Sequence, residues 1–209
     1  IFTVAGEGSP LTGGTGPDSL QGTTAADSMQ GGRGNDTMRG GRGNDDMDGE
    51  DGNDRVWGDG GADTVLGGGG KDRLWGGAGR DLLDGGKADD LIWGNGGSDT
   101  LIGGKGRDEL RGGGGRDRFQ FDRGDGKDVI KDFEDRQDKI VFTSGPDGFG
   151  DLRIRQKGDD VLVIYGGRKN KIEVEDANRR KFSKADFVFE ADEAGAREVL
   201  GGDFMFGDG

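Results

Sequence analysis

One nine-residue phrase, repeated without interruption, constrains this chain more than anything else in it. From Gly13 the sequence divides into GGTGPDSLQ, GTTAADSMQ, GGRGNDTMR, GGRGNDDMD, GEDGNDRVW, GDGGADTVL, GGGGKDRLW, GGAGRDLLD, GGKADDLIW, GNGGSDTLI, GGKGRDELR and GGGGRDRFQ, ending at Gln120. Position 1 is glycine and position 6 is aspartate in all twelve copies. Position 8 is always apolar: Leu20, Met29, Met38, Met47, Val56, Val65, Leu74, Leu83, Ile92, Leu101, Leu110 and Phe119. Seven copies read GGxGxD in full, and five depart from it at position 2 or 4. Glycine and aspartate mark turns singly in many proteins, but turn formation alone does not hold twelve aspartates in phase.

Composition sharpens the question of what holds such a chain together. Only 29% of the 209 residues are apolar, 34% are charged, and the net charge is −13. A chain so poor in apolar surface does not offset its conformational entropy by burial alone. A metal cation that neutralises the aspartates is the obvious remedy. With no cysteine and no histidine, disulfides, thiolate nucleophiles, His-dependent triads and His- or Cys-ligated zinc are excluded within this chain. No run of apolar residues is long enough to span a membrane as a helix, and the acidity argues against nucleic acid as a partner. IFTVAGEGSP (1–10) lacks the basic and apolar regions of a cleaved signal.

The repeat resembles the RTX nonapeptide G-G-x-G-x-D-x-U-x, and the resemblance covers residues 13–120. It implies an all-β chain: a right-handed, calcium-bound parallel β-roll with two nonapeptides to each turn, followed by a β-rich C-terminal cap. Elementary geometry leads the same way. Alternate residues of a strand face opposite sides, so x-U-x makes a short strand with one inward side chain. The glycine-rich half turns the chain. Two nonapeptides then complete one turn, and twelve make six turns, roughly 29 Å long at the strand spacing. The interior holds only the position-8 rows, too thin a core to stabilise the roll alone.

Eighteen residues per turn sort the aspartates into two ladders. One is Asp18, Asp36, Asp54, Asp72, Asp90 and Asp108; the other is Asp27, Asp45, Asp63, Asp81, Asp99 and Asp117. Carboxylates stacked in register repel, and a hard divalent cation between rungs reverses the sign. Calcium, with six to eight oxygen ligands in flexible geometry, suits such a site better than magnesium or zinc. The resemblance implies further that backbone carbonyls of the glycine turn complete each site. On this chain those are Gly32, Gly34, Gly41, Gly43, Gly52, Gly61, Gly68, Gly70, Gly77, Gly79, Gly97, Gly104, Gly106, Gly113 and Gly115. Six rungs leave five gaps per ladder, hence a ceiling of about ten ions. Fewer are expected. GTTAAD lacks the central glycines, Ala88 stands at position 4, and Glu50, Asp59 and Asn95 stand at position 2.

Residues 1–12 read as an N-terminal cap strand or linker. FQFDRGDGKDVIKDFEDRQDKIVF (119–142) resembles the segment that follows such arrays in RTX proteases, with apolar residues to close the roll. Within it Asp122, Asp125, Asp128 and Asp132 read as a solvated acidic loop, with an added calcium site as the other reading. LRIRQ, DVLVIY and KIEVE alternate as half-buried antiparallel strands do, and Ser183 looks like a cap. Residues 121–189 are thus a β-rich cap, and 190–209 an acidic, Gly-rich tail, either a secretion signal or the start of another repeat.

Trp57, Trp75 and Trp93 share position 9 in alternate repeats, so they line one outward face, with Leu91 beside them and Arg55 and Arg73 between. Such a contiguous aromatic stripe usually means contact. Packing against the C-terminal segment or a neighbouring domain, stacking along the ladder, and a carbohydrate platform are the open readings. Leu66, Leu82 and Ile102 lie on the opposite sheet. Three functions follow for weighing: a calcium-binding module that folds after secretion and stabilises or caps a larger exoprotein, an adhesion or carbohydrate-binding module using the tryptophan face, and an enzyme. No catalytic motif appears in this chain, although RTX arrays are also appended to proteases and lipases. The resemblance implies an extracellular protein, calcium ions and the type I secretion machinery as partners, and an upstream domain of the same polypeptide.

Overall fold

A computed structural model describes residues 2–4, 10–146, 148–166, 170–177 and 182–190; the proposed tail beyond Glu190 lies outside them. The chain winds into a parallel solenoid between two sheets, one of eleven strands and one of nine, with successive strands alternating between them as far as Phe142. Every strand of the repeat region pairs in parallel with the strand one turn away, so that Leu74 faces Ile92 and Leu83 faces Leu101. That offset is twice the sequence period, as two strands per turn require.

Position 8 points inward in both sheets because positions 7 and 9 flank it on the opposite face of a short strand. Leu20, Met38, Val56, Leu74, Ile92 and Leu110 form one interior row. Leu11, Met29, Met47, Val65, Leu83, Leu101 and Phe119 form the other. All are buried. Leu11 precedes the first repeat yet extends its row, and the strand Leu11–Gly14 pairs with Ser28–Arg33.

Beyond Gln120 the winding continues. Lys127–Ile130 adds in parallel to Glu109–Gly115, and Lys139–Phe142 adds to Arg118–Phe121. Leu110 meets Ile130 and Phe119 meets Ile140, so the turns here are longer than two nonapeptides. Three strands then close the larger sheet: Asn170–Val174 adds in parallel to Lys127–Ile130, and Asp160–Tyr165 and Arg153–Lys157 follow as antiparallel neighbours. Phe187–Phe189 ends the smaller sheet, after a short 3-10 turn whose N-cap Ser183 and Asp186 form a reciprocal capping box. Phe119, Phe121, Phe142, Tyr165 and Phe187 fill this end, with ring centroids 4.8 Å apart for Phe142 and Tyr165. This aromatic plug shields the last position-8 residues from water, which thin solenoid cores need at their ends.

Candidate metal centre

The position-6 aspartates point into the roll. Asp36, Asp45, Asp54, Asp63, Asp72, Asp81, Asp90, Asp99, Asp108 and Asp117 are all buried, between 0% and 2% exposed. Their two oxygens have different fates. Each Oδ1 accepts the backbone N–H of the aspartate one turn earlier: Asp18 N–H to Asp36 at 2.8 Å, Asp36 to Asp54 at 2.7 Å, and so on to Asp99 with Asp117 at 3.0 Å. Both ladders are therefore stitched by hydrogen bonds to charged acceptors, which are stronger than neutral ones. Simple repulsion between rungs does not anticipate this. In contrast, Oδ2 of all ten has no hydrogen-bond partner among the described residues. A buried, unpaired carboxylate oxygen is costly, and here the cost recurs on every rung.

Each orphan oxygen lies beside a glycine. A Cβ placed on Gly67 would sit 2.6 Å from Asp72 Oδ2 and 2.7 Å from the Gly85 carbonyl oxygen. The same pair of oxygens, the repeat's own Oδ2 and the position-1 carbonyl of the next turn, crowds Gly31, Gly49, Gly76, Gly85 and Gly94. Position 1 is glycine in every copy for this reason.

The predicted glycine carbonyls divide by position. Position-2 carbonyls are used in the ladder: Gly68 accepts from Lys87 N–H at 3.0 Å, and Glu50 from Gly69 N–H at 2.7 Å. Gly32, Gly41, Gly77, Gly104 and Gly113 hold the same left-handed conformation as Gly68. Position-4 carbonyls aim at the next turn. The Gly34 oxygen would lie 1.4 Å from a Cβ on Gly52, with Asp54 Oδ1 3.0 Å from the same point, and Gly43, Gly61, Gly79 and Gly97 repeat the approach to Gly61, Gly79, Gly97 and Gly115. Gly70 and Gly106 are crowded in the same way by the carbonyls of Gly52 and Ala88. The departures keep the turn: Glu50, Asp59, Ala88 and Asn95 take φ of 66–80°, at roughly 1–2 kcal/mol each for a non-glycine residue.

Among the described residues no three acidic groups converge on one point. An ion between rungs would have two carboxylates and carbonyls of the turn to draw on. The donor set is entirely oxygen, which suits a hard cation of variable coordination. Buried orphan Oδ2 atoms and a cradle that any Cβ would fill satisfy the fit.

Burial pushes the carboxyls of Asp45, Asp72 and Asp81 up to about 6, those of Asp54 and Asp99 to about 7, and that of Asp90 to about 8. Asp63 and Asp117 are raised too. The hydrogen bond from the preceding turn pulls each down, and for Asp54, Asp90 and Asp99 the charged rungs on either side push up again. The unfolded value is 3.8. Between about pH 4 and 8 the metal-free fold thus holds protons that the unfolded chain has lost. Its stability is fullest below about pH 4 and falls as pH rises through the folded values. Metal binding needs the deprotonated form. Calcium bound by chain that is already folded at pH 6 is expected to release protons, measured by pH-stat, whereas calcium that folds the chain from the coil releases few, because carboxyls titrating near 3.8 are already ionised there. Equal proton release in the two cases would contradict this picture of the ladders.

A profile of the RTX calcium-binding nonapeptide repeat matches four times, at residues 12–47, 39–74, 66–101 and 93–130. The chain belongs to the RTX calcium-binding repeat family. Its repeats are calcium-binding repeats, and their β-roll is the fold described above. The chain is also similar to two solved structures. One is the extracellular lipase LipA from Serratia marcescens, at 19% identity and a TM-score of 0.37, over 82% of this chain and 40% of that one. The other is the AlgE6R3 subunit of the Azotobacter vinelandii mannuronan C5-epimerase, at 23% identity and a TM-score of 0.34, over 97% of this chain and 96% of that one. The chain thus spans two fifths of the lipase's length. No curated protein matches the sequence significantly.

The RTX ladders run past the repeats. Asp108 N–H donates to Asp128 Oδ1 at 3.2 Å, and Asp117 N–H to Asp138 Oδ1 at 3.0 Å. Asp128 and Asp138 are 1% exposed and Asp125 is 7% exposed. Asp125 and Asp128 are therefore not part of a solvated acidic loop, and Asp128 Oδ2 is another orphan. These two rungs fall outside the period of nine, so periodicity alone misses them. At the other end one rung is different. Thr23, at position 2 of the GTTAAD copy, donates to Asp27 Oδ2 from its N–H at 2.6 Å and its hydroxyl at 3.0 Å.

The tryptophan face also corrects the reading of an exposed stripe. Trp57, Trp75 and Trp93 are half-buried and stack face to face, with centroids 4.5 and 4.9 Å apart and planes within 4°. Arg39 covers the outer face of Trp57 at 5.1 Å while bridging to Asp59 at 3.8 Å. Both faces of Trp75 are spent on its neighbours, so it offers no ring face to a sugar. Trp75→Ala is expected to cost about 1–3 kcal/mol, two aromatic contacts' worth. Denaturant unfolding in saturating calcium, together with loss of the indole exciton couplet in the far-ultraviolet circular dichroism, measures it.

Proposed function

We propose that this RTX chain is a calcium-dependent folding module that stabilises a larger secreted protein. The single observation carrying this reading is the column of buried carboxylate oxygens without partners on every rung from Asp36 to Asp117. A fold that leaves so many charged oxygens unpaired is not stable by itself, and bound calcium supplies the missing positive charge. The chain's own part is to orient the oxygens. Position-8 residues hold the sheets together, position-1 glycines admit Oδ2 beside the next turn, and position-4 carbonyls aim along the ladder. Ion occupancy below ten follows from the Thr23 cap, which already satisfies Asp27.

Coupling of metal binding to folding fits export in an extended state followed by folding at extracellular calcium. With the family resemblance, this supports passage through type I secretion machinery and attachment to an upstream domain of the same polypeptide. The test is a calcium titration of the whole chain followed by far-ultraviolet circular dichroism. A cooperative coil-to-strand transition is expected, with bound calcium counted at its plateau. A strand spectrum that survives exhaustive chelation would overturn the proposal.

A further inference from the structure

On a chain of net charge −13, one cleft has four cations among its eight lining residues, against two acids, Asp128 and Glu173. It measures about 330 Å3 and lies on the outer face of the larger sheet near its C-terminal end. Arg107, Lys127, Lys171 and Lys157 surround it, over a floor of Val129 and Leu162. Strand pairing explains the concentration. Lys127 lies directly opposite Lys171. Arg107 is the next rung, because Gly106 pairs with Gly126 and Glu109 with Val129. Three cations therefore occupy consecutive rungs of one column, about 4.8 Å apart. Like charges directly opposite destabilise a sheet. Among the described residues no carboxylate comes within ion-pair distance of any of the three, whereas Lys157 is bridged to Glu173 at 2.6 Å. Four acids lie near the column: Glu109 and Glu173, each directly opposite Val129, are bridged to Arg111 at 2.9 Å and to Lys157, and two others are engaged elsewhere. Asp128 turns its carboxyl into the buried ladder, and Asp89, on the rung before Arg107, is bridged to Lys71 at 2.9 Å. Arg155, exposed and paired opposite Leu162, extends the positive surface past the cleft.

We infer that this cleft binds a polyvalent oxyanion, a ligand carrying sulfate or phosphate groups in series. Its charges would sit along the Arg107–Lys127–Lys171 column, and its uncharged backbone would rest on Val129 and Leu162. Repulsion within the column is then offset by the ligand, just as repulsion within the carboxylate ladders is offset by calcium, but with the signs exchanged and on the solvent side of the sheet. The tetrahedral oxyanion accepts several N–H donors at once, which suits two ammonium groups and a guanidinium converging from adjacent strands.

The experiment uses the full chain in saturating calcium, with dextran sulfate as the probe and neutral dextran as the control, by calorimetry at several salt concentrations. The double variant Lys127→Gln/Lys171→Gln is expected to bind about tenfold more weakly and with a shallower salt dependence, while its calcium-loaded circular dichroism stays native. Arg33→Gln, on a distant turn and bridged to exposed Asp51, should bind like the parent. Inorganic sulfate and inorganic phosphate, titrated as competitors, show which oxyanion the column prefers. Absence of binding by the parent chain would overturn the inference. So would equal losses in the Arg33 variant, which mark diffuse attraction, or undiminished binding by the double variant, which marks bridging through calcium on the acidic surface.

Discussion

Gly67→Ala is expected to unfold the middle of the roll at calcium concentrations that keep the parent chain folded. The added methyl would lie 2.6 Å from Asp72 Oδ2 and 2.7 Å from the Gly85 carbonyl oxygen. Neither atom can withdraw cheaply. The carbonyl belongs to the next turn's backbone, and the carboxylate is fixed through Oδ1, which accepts Asp54 N–H at 2.8 Å. Relief requires parting two turns, at about 1–3 kcal/mol for overpacking of this kind, and moving a carboxylate out of its ladder. The loss of ion binding adds to that figure because binding and folding are linked. Gly69→Ala, two residues away, is the control. Its Cβ would meet nothing nearer than Asp51 Oδ1 at 3.6 Å, so its calcium midpoint should stay near the parent's. Matched midpoints for the two variants would refute the account of why position 1 is glycine.

Asp72→Ala should be nearly as damaging, and Asp27→Ala far less so. Removing the Asp72 carboxylate strands Asp54 N–H in the interior, worth about 1–3 kcal/mol, and strips a ligand from the gaps on both sides of its rung. Bound calcium should drop by about two ions, read by equilibrium dialysis. Asp72→Asn keeps the Oδ1 acceptor but not the charge, so it should recover the hydrogen-bond part of the loss and little of the calcium. At Asp27 the Oδ2 oxygen is already held by Thr23, and the Asp27 N–H that binds Asp45 belongs to the backbone and survives substitution. Equal calcium losses at Asp27 and Asp72 would show that the Thr23 cap does not take the place of an ion.

How much of this was legible beforehand differs from residue to residue. The antiparallel strands over 153–157, 160–165 and 170–174 were readable from their alternation, and the Ser183 cap from its place before an apolar run. The Trp57–Trp75–Trp93 column was readable too, but its exposure was not. Side chains at the same position of alternate repeats must lie on one face, yet spacing does not say whether rings present faces or edges to solvent. Asp128 and Asp138 escaped because insertions after Gln120 carry the ladder on at longer offsets than the repeats set. Thr23 showed only as a departure from the consensus. That its N–H and hydroxyl reach Asp27 depends on the turn geometry.

The sequence alone determined the period of the winding, which side chains line its interior and where glycine is obligatory. Each of these is a local constraint that every nonapeptide repeats. Only the tertiary structure decided which oxygens are paired and which are orphaned, where the ladders end, and that Lys127 faces Lys171 from a distant part of the chain. Those are relations between turns. They depend on sub-ångström distances across the strand spacing and on insertions that shift the register, and a repeat read one copy at a time contains neither.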